Sequence, residues 1–500
     1  MTLSILIAIP FAAGLLGLPF GGRQAKAVSL VGSLATLIIA GTLAVRYDTA
    51  LGGAQFTVDK LWIEPIGVHW ALAIDGLNLA LVALTAFVYF CVVVACLFRD
   101  DERPGQFFFH LGFAASAVLG AFLAQDLLLF VLFFDLMLIP FYFLVGQWGD
   151  GERIKATTKM VIYTLSGSLL MFAAAAAAGA LTASQYGMPV NFLISNLQNH
   201  ALDHSTQHWV FVCFALAFLV KMPAVPLHGW LRDAYRAMPL PALALFSGVL
   251  SKVAAYGFLK LAVPLFPDGA ADARTVLLIV ALASILYGSA LAFTTSDARL
   301  VVGYSSIAQL GFILLGIFSL TEAGAQGALM QMVNHGVVTV LLVAIVGMLA
   351  ARAKGSEDLG SMGAIAMGAP VMAVVFLIAA LANLAMPASA NFIGEFLILR
   401  GTWDSASVFA VLACIGVVMA AVYMLRMYIR SMHGPDENDV EKREMSWREA
   451  ATVVPAVIVV LALALYPQAL LSRSEGATTA SILDAANGAM VNPIAPEARK

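Results

Sequence analysis

Long apolar runs separated by short polar segments occupy almost the whole of this 500-residue chain. At about 20 residues per membrane-spanning helix, the runs predict about 14 such helices. The predicted spans are 3–20, 27–46, 72–97, 107–124, 126–147, 160–182, 208–235, 241–264, 275–294, 300–319, 325–350, 368–400, 406–430 and 449–467. The longest stretches between them, 47–71 and 183–207, are too short for a hydrophobic core of their own. The pattern therefore predicts an all-α integral membrane protein without a soluble domain.

The composition agrees with this prediction. Hydrophobic residues make up 61% of the chain and charged residues 11%, with a mean hydropathy of +0.91, whereas soluble proteins carry about 25% charged residues. The net charge of −3 gives no reason to expect a nucleic-acid partner. No CxxC pair, dinucleotide fingerprint or phosphate-binding loop occurs, so the sequence predicts no cofactor and no metal bound by this chain. The four cysteines are interpreted as buried, inert thiols.

The distribution of Lys and Arg predicts the orientation. The first apolar run, Leu3 to Leu18, has no Lys or Arg before it, and Arg23 and Lys26 follow it. This order favours a first spanning helix that starts outside the cell over a cleaved signal peptide. Every second loop then faces the cytoplasm, and those loops hold most of the cations. Both termini are predicted on the outer, periplasmic side.

Two predicted helices are interrupted by proline within a repeated tripeptide. Met222-Pro223-Ala224 in span seven recurs as Met386-Pro387-Ala388 in span twelve, five spans later. Each proline removes a backbone donor and opens the helix. A weaker sequence similarity relates the residues after Asp126, entering span five, to those after Asp297, entering span ten. Because five is an odd number, two such five-helix units face opposite ways, as in the inverted repeats of transporters. The predicted division is 1–106 (helices 1–3), 107–270 and 271–432 (the two repeats), and 433–500 (helix 14 and a tail).

Lys221 stands at the first helix break and is the most informative residue. An amine at membrane depth is costly, and such residues usually mark an ion pathway. Asp135, in the middle of span five, is interpreted as its electrostatic partner, with a purely structural acid as the alternative. Proton or cation translocation is therefore the leading hypothesis.

Three further ionisable residues lie inside predicted spans. Lys252 in span eight is too far from either membrane surface for its amine to reach water easily. His335 in span eleven is either a proton relay or a structural histidine. Glu395 follows the second break and is the last buried acid before the outer surface. His228, just after the first break, is either a relay or a cap for freed carbonyls.

Several motifs in order resemble the antiporter-like membrane subunits of respiratory complex I. They are Phe133-Phe134-Asp135-Leu136-Met137-Leu138-Ile139-Pro140, the segment from Val220 to Leu231, Gly303-Tyr304-Ser305-Ser306-Ile307 and Phe392-Ile393-Gly394-Glu395-Phe396. The resemblance runs from about the third span to the thirteenth. Within the family, the chain is most similar to the M-type subunits (chain 4 in mitochondrial naming). The discriminating residue is Glu395, because L- and N-type subunits have lysine there.

The resemblance implies a proton-pumping module of about 14 helices in a bacterial inner membrane, between L-like and N-like neighbours. It implies that NADH, FMN, iron–sulfur clusters and quinone are bound by partner subunits. Asp135, Lys221, Lys252, His335 and Glu395 would form the proton path. This chain departs from the family pattern at two positions of the implied path. The family usually has glutamate where this chain has Asp135, and M-type subunits commonly have histidine where it has Gln309. Gln309 can hydrogen-bond a water but cannot carry the proton's charge.

Other functions compete with this hypothesis. The large subunits of multisubunit sodium/proton antiporters resemble this fold, and those antiporters have no redox partner. A related membrane-bound hydrogenase or deazaflavin-dependent dehydrogenase would use the same subunit with another electron donor. A structural membrane spacer is disfavoured by Lys221, Lys252 and Glu395, since buried charges without a function are expensive.

Overall fold

The computed structural model describes residues 1–99, 102–436 and 439–491. Its helices, numbered in chain order, are α1 (Thr2–Gly17), α2 (Gly22–Arg46), α3 (Leu79–Leu97), α4 (Pro104–Leu123), α5 (Leu127–Leu136), α6 (Leu138–Trp148), α7 (Arg153–Tyr186), α8 (Ile194–Asn199), α9 (His204–Lys221), α10 (Leu231–Ala237), α11 (Leu240–Leu245), α12 (Ser251–Gly257), α13 (Val263–Leu265), α14 (Pro267–Thr294), α15 (Ala298–Phe318), α16 (Glu322–Arg352), α17 (Pro370–Asn383), α18 (Ala390–His433), α19 (Trp447–Leu465) and α20 (Gln468–Val491). The four strands are β1 (Gln55–Val58), β2 (Leu61–Ile63), β3 (Val68–His69) and β4 (Leu72–Ile74). They pair antiparallel, β1 with β4 and β2 with β3.

Eleven helical segments in the described ranges are long and apolar enough to cross a membrane. They are α2, α3, α4, α5–α6, α7, α11–α13, α14, α15, α16, α18 and α19, and α1 and α17 are shorter apolar helices. The all-α membrane architecture is as predicted, whereas the number of fourteen spans stays a prediction. The predicted segment 433–500 includes residues 437–438 and 492–500, which lie outside the described residues.

The prediction that span three begins at residue 72 is wrong. Leu72–Ile74 is strand β4, and α3 begins only at Leu79. The cause is Asp75, whose carboxylate accepts hydrogen bonds from the backbone N–H groups of Leu77 (2.9 Å) and Asn78 (3.0 Å). Such a side chain closes a turn on its own backbone and so delays the helix.

Both proline-containing spans are interrupted. Helix α9 ends at Lys221 and α10 begins at Leu231, so Pro223 lies in a gap between two half-helices. Helix α17 ends at Asn383 and α18 begins at Ala390, with Pro387 in the corresponding gap. Ala385 and Ala388 have positive φ angles of 54° and 69°, a conformation that is uncommon for a residue with a Cβ. The second break is therefore held in place by its surroundings.

Asp126 and Asp297 form the same local structure five spans apart. Each is the N-cap of the following helix and accepts a hydrogen bond of 3.0 Å from the backbone N–H three residues on. Each also forms an isolated antiparallel bridge with a later loop, Asp126 with Leu193 and Asp297 with Asp358. This correspondence supports the predicted inverted repeat, which stays a prediction.

The centre of the bundle is built by the eighth predicted span together with α15 and α16. In the segment Leu240–Leu265 and in helix α15, every residue of the most apolar stretch is buried inside the protein. Within the eighth span, two π-helical turns, Phe246–Leu250 and Phe258–Ala262, flank α12. Such turns insert an extra residue into an α-helix and are frequent at functional sites.

The C-terminal region differs from the prediction. Residues after 467 were expected to form a tail, but Gln468–Val491 is helix α20. Its Thr479 hydroxyl donates to the Glu322 carboxylate at 3.0 Å, at the start of α16. Helix α18 has 44 residues and contains one non-helical residue, Ala406, where the twelfth and thirteenth predicted spans meet.

Candidate functional site

Lys221 ends α9 with its amine enclosed in protein. Its side chain is 2% exposed, and Nζ donates a hydrogen bond of 3.0 Å to the Phe134 carbonyl. The same nitrogen lies 4.4 Å from the centroid of the Phe134 ring, within the range of a cation–π interaction. The amine is therefore held by the residue that precedes Asp135, rather than by Asp135 itself.

Asp135 is half-buried in the last turn of α5. It interacts electrostatically with Lys221 and lies beside Ser168 of α7. No carboxylate–amine contact within 4.0 Å joins Asp135 to Lys221 in the described structure. One carboxylate oxygen, Oδ1, is buried without a hydrogen-bond partner there. The electrostatic pairing with Lys221 therefore acts over a distance longer than an ion pair, as expected from a side chain one methylene shorter than glutamate.

The gap after Lys221 has its own backbone caps. Trp230 Nε1 donates to the Val220 carbonyl at 3.1 Å, and the Val225 N–H donates to the Ser284 hydroxyl at 2.9 Å. His228 Nδ1 is buried and has no partner among the described residues. Its ring packs edge-on at 5.3 Å from the Tyr287 ring centroid. Trp230 thus caps one freed carbonyl and Ser284 accepts from one freed N–H, and the two alternatives for His228, a relay or a cap for other carbonyls, stay predictions.

Lys252 lies in α12, between the two π-helical turns, and is fully buried. Its amine donates to the Ser247 carbonyl within the first π turn. The close approach of α16 encloses it, since a Cβ on Gly336 would lie 2.7 Å from the Gly248 carbonyl oxygen. The side chain therefore faces the bundle interior and not lipid.

His335 lies in α16, fully buried and within electrostatic range of Lys252. Its Nε2 shares a hydrogen bond of 3.0 Å with the Thr339 hydroxyl, one turn further along the helix. Its other ring nitrogen, Nδ1, has no partner in the described structure. One nitrogen is thus fixed and the other is available to a mobile proton.

Glu395 is bound by two glutamines from neighbouring helices. Its Oε1 accepts from Gln309 Nε2 of α15 at 2.7 Å and from Gln331 Nε2 of α16 at 3.4 Å. Gln331 Nε2 also donates to Gln309 Oε1 at 2.6 Å. The carboxyl group is 3% exposed. Gln309, in the place where a proton-carrying histidine was expected from the resemblance, serves as a neutral donor to the acid.

Several polar residues were missed from the sequence. Gln331 and Asn334 lie on the same face of α16 as His335, so helical spacing could have identified them. Asn383 and Asn391 flank the second break, and their buried amide groups have no partner in the described residues. Buried polar atoms of this kind are commonly satisfied by ordered water.

Lys260, near the end of the eighth predicted span, is bound by an acid from the loop before α3. Its Nζ forms an ion pair of 2.6 Å with Asp75, whose side chain is 8% exposed. Lys260 lies two helical turns beyond Lys252, and Tyr256 between them donates to the Phe122 carbonyl at 3.0 Å. No signal in the sequence pairs residues 185 positions apart.

The described residues contain no group of three His, Cys, Asp or Glu side chains placed to hold a metal ion. Cys91 and Cys96 are buried, Cys213 is half-buried and Cys414 is exposed. The arrangement as a whole is a series of single ionisable groups, each on a different helix.

Comparisons with known proteins give a consistent result. The family described as "NADH:quinone oxidoreductase/Mrp antiporter, TM" matches residues 124–420. NADH-quinone oxidoreductase subunit M of Escherichia coli is 34% identical, over 95% of this chain and 97% of that protein. The subunit M of Pseudomonas aeruginosa is 35% identical, over 84% of this chain and 83% of that protein.

Solved structures show the same fold. A chain of respiratory complex I from Thermus thermophilus superposes with a TM-score of 0.88, at 30% identity over 97% of this chain and 99% of that one. A chain of the Mrp complex from a Dietzia species has a TM-score of 0.82 at 21% identity, over 97% of this chain and 98% of that one. The second likeness is one of fold alone.

Proposed function

Because this chain belongs to the NADH:quinone oxidoreductase/Mrp antiporter family of membrane subunits, we propose that it is a proton-translocating subunit of a respiratory NADH–quinone oxidoreductase. It would couple quinone reduction elsewhere in the complex to proton pumping. The relatives that it matches over nearly their whole length are subunits M of such enzymes. The enzyme is the complex, and this chain would contribute the proton path.

The observation that carries the proposal is the burial of four ionisable groups in the helix bundle. Lys221, Lys252, His335 and Glu395 are each 3% exposed or less. They lie on α9, α12, α16 and α18, so each is presented by a different helix. Charged groups inside a membrane are retained where they carry ions or protons.

The proposed path begins at Lys221, whose charge Asp135 influences across a gap wider than an ion pair. Lys252 is the central lysine and His335 is the relay next to it. Glu395 is the terminal acid, and its two glutamine donors fix the orientation of its carboxyl group. Groups coupled in this way titrate together, so that a change at one end alters proton occupancy along the path.

His228 and Gln309 have auxiliary roles in this proposal. The unpartnered nitrogen of His228 would contact water entering at the break beside Pro223. Gln309 would orient a water and the Glu395 carboxylate without accepting a proton. The unpartnered amides near Pro387 provide further polar positions for water at the second break.

The proposal includes the surroundings of the chain. The membrane is the cytoplasmic membrane of a bacterium, with both termini on the periplasmic side, and the neighbours are an L-like and an N-like subunit. NADH, FMN, iron–sulfur clusters and quinone belong to partner subunits. The segments 107–270 and 271–432 are the two inverted repeats, supported by the matching structures at Asp126 and Asp297.

The decisive experiment replaces Lys221 with alanine in the intact complex, reconstituted in vesicles. We expect assembly to be retained, while proton translocation and the coupled quinone reduction both fall. Lys155→Ala is the matched control, because Lys155 is an exposed lysine that pairs with Glu152 at 2.9 Å. An assembled Lys221→Ala complex that pumps with the parent's proton stoichiometry would contradict the proposal.

The second candidate function is a subunit of a multisubunit sodium/proton antiporter. The likeness to the Mrp complex favours it at the level of fold. Purification of the assembly with its co-eluting chains separates the two, since flavin and iron–sulfur subunits accompany only a redox complex. Their absence from an intact, purified assembly would favour the antiporter.

A further inference from the structure

A cavity of about 430 Å³ lies on the side of the bundle where α3 ends and α19 begins. Its walls come from the last turns of α3, the start of α11, the C-terminal half of α16 and the first turns of α19. We call it the α3–α19 cavity. It contains none of the ionisable residues of the proposed proton path, so its occupant is a question separate from pumping.

Small side chains keep this space open. Ala95 of α3, Ala244 of α11, and Ala344 and Gly347 of α16 all line it. Larger residues at these positions would fill the space between α3, α16 and α19. Instead, α19 buries only Val453, Ala456 and Val460. At its start, α19 is attached to α16 by the ion pair of Arg352 with Glu449, and an apolar occupant would fill the space that remains beside it.

The rim of the cavity is positively charged. Arg99, Arg443 and Arg448 line it, together with one acid among the described lining residues, Glu449. That acid is already bound, by Arg352 at 2.9 Å and by Arg443 at 3.2 Å. Arg443 also pairs with Glu441 at 3.0 Å, so Arg448 is the cation of the rim that remains for a ligand above the apolar space.

Arg448 is the rim residue best placed to bind a ligand. It is exposed, and no carboxylate in the described structure lies within ion-pair distance of it. Its guanidinium lies 5.7 Å from the Trp447 ring and 6.0 Å from the Phe98 ring. Aromatic rings at the level of lipid headgroups are a general feature of membrane proteins. This arrangement places the cation at the level where phosphate groups lie.

We propose that the α3–α19 cavity binds an anionic phospholipid. The phosphate would contact the guanidinium of Arg448, since arginine forms strong charge-assisted hydrogen bonds with phosphate oxygens. One acyl chain would extend along the alanines of α3 and α16 and cover the inner face of α19. The lipid would thereby fill the space between α19 and the rest of the bundle.

The test uses the intact assembly in vesicles that contain phosphatidylglycerol with a photoactivatable diazirine on one acyl chain. We expect labelling of the peptides that contain Val92, Ala344 and Val453. Phosphatidylcholine with the same chain should label them more weakly. Arg448→Gln should lower labelling by phosphatidylglycerol about five-fold, the effect of one basic side chain at an anionic surface. Arg430→Gln is the matched control, an exposed arginine at the end of α18 outside the cavity.

A second variant tests the apolar part. Ala344→Phe should reduce labelling by both lipids, because the ring would occupy the space for the acyl chain. Equal labelling by the two lipids, or unchanged labelling in Arg448→Gln, would overturn the proposal. So would photo-crosslinking of a benzophenone at position 452 to another subunit in the absence of lipid labelling, since a protein would then fill the cavity.

Discussion

The side-chain amide of Gln309 donates a hydrogen bond of 2.7 Å to the carboxylate of Glu395, across the interface between α15 and α18. The acid is fully enclosed, and its second donor, Gln331, is farther away at 3.4 Å. Gln309 therefore provides the shorter of the two hydrogen bonds that orient the acid. A glutamine here can orient the acid but cannot replace it as a proton carrier.

Gln309→Leu should lower proton translocation strongly without blocking assembly. The variant leaves a buried carboxylate with only its weaker donor, and a hydrogen bond to a charged group contributes about 1.5–3 kcal/mol. The measurement is the number of protons moved per NADH oxidised in reconstituted vesicles. Gln147→Leu, at an exposed glutamine of α6, is the control. A Gln309→Leu complex with the parent ratio would assign Glu395 a structural role.

Asp135→Asn should depress pumping, because Lys221 loses the carboxylate that favours its charged form. Asp135→Glu should be tolerated, since the longer side chain brings the carboxylate closer to the amine. Two unit charges 4 Å apart interact by about 4 kcal/mol at an effective dielectric constant of 20 and by about 1 kcal/mol in water. The same vesicle assay compares the two variants. Pumping by Asp135→Asn at the parent level would show that Asp135 is only a structural acid.

Gly336→Ala should lower the thermal unfolding midpoint. The added Cβ would lie 2.7 Å from the Gly248 carbonyl oxygen, and overpacking of this kind costs about 1–3 kcal/mol. Gly41→Ala in α2 is the control, because a Cβ there meets nothing within 4 Å. Alanine is the better helix former, so the control should be neutral or stabilising. Midpoints are compared by intrinsic fluorescence, and equal midpoints for the two variants would contradict the close approach of the backbones.

Lys260→Met should destabilise the protein markedly. It leaves the Asp75 carboxylate, 8% exposed, without its ion-pair partner at 2.6 Å, and breaking a buried pair costs about 3 kcal/mol or more. Lys155→Met is the comparison, since the exposed pair of Lys155 with Glu152 contributes less than about 1 kcal/mol. Denaturant midpoints measure the difference. Similar losses in both variants would mean that the Asp75 charge is solvated.

Glu444→Gln should destabilise the protein in a pH-dependent way. Glu444 lies in the loop before α19 and accepts hydrogen bonds from the N–H groups of Val371 (2.7 Å) and Met372 (3.0 Å) at the start of α17. Burial acts to raise the pKa of Glu444, but the backbone donors, Met445 among them, outweigh it and the pKa lies below its ordinary value.

Because the folded pKa of Glu444 is depressed, its stabilisation is present above the unfolded pKa of about 4.3. It is lost as the pH falls through the folded value. The gap in unfolding midpoint between the parent and Glu444→Gln should therefore be full at pH 7 and close below about pH 4. A gap that is independent of pH would point to packing rather than charge.

The sequence predicted the parts of this fold that depend on composition along the chain. Apolar runs locate the helices, and Pro223 and Pro387 locate the gaps in the two broken spans. Ionisable residues inside those runs were correctly expected to avoid lipid, since Lys252 and Glu395 face protein. Whether each of them carries protons is still a prediction.

Features that depend on distant contacts could not be predicted. The pairing of Lys260 with Asp75 and the glutamines around Glu395 join residues far apart in the chain. Strand β4 was mistaken for the start of α3, because Leu72-Ala73-Ile74 is as apolar as a helix. Helix α20 was missed because its sequence is too polar to predict a membrane-spanning helix. Its structure depends on its contacts with the bundle.

Because of the two π-helical turns around α12, the direction of the Lys252 side chain depends on the number of residues in this segment as well as on their type. Each residue of an α-helix advances the side-chain direction by about 100°. Deletion of Val249 would restore regular winding and turn Lys252 away from His335, although every ionisable residue would still be present. The eighth span should thus tolerate many apolar substitutions but few insertions or deletions. In this segment, the number of residues between two positions matters as much as their chemistry.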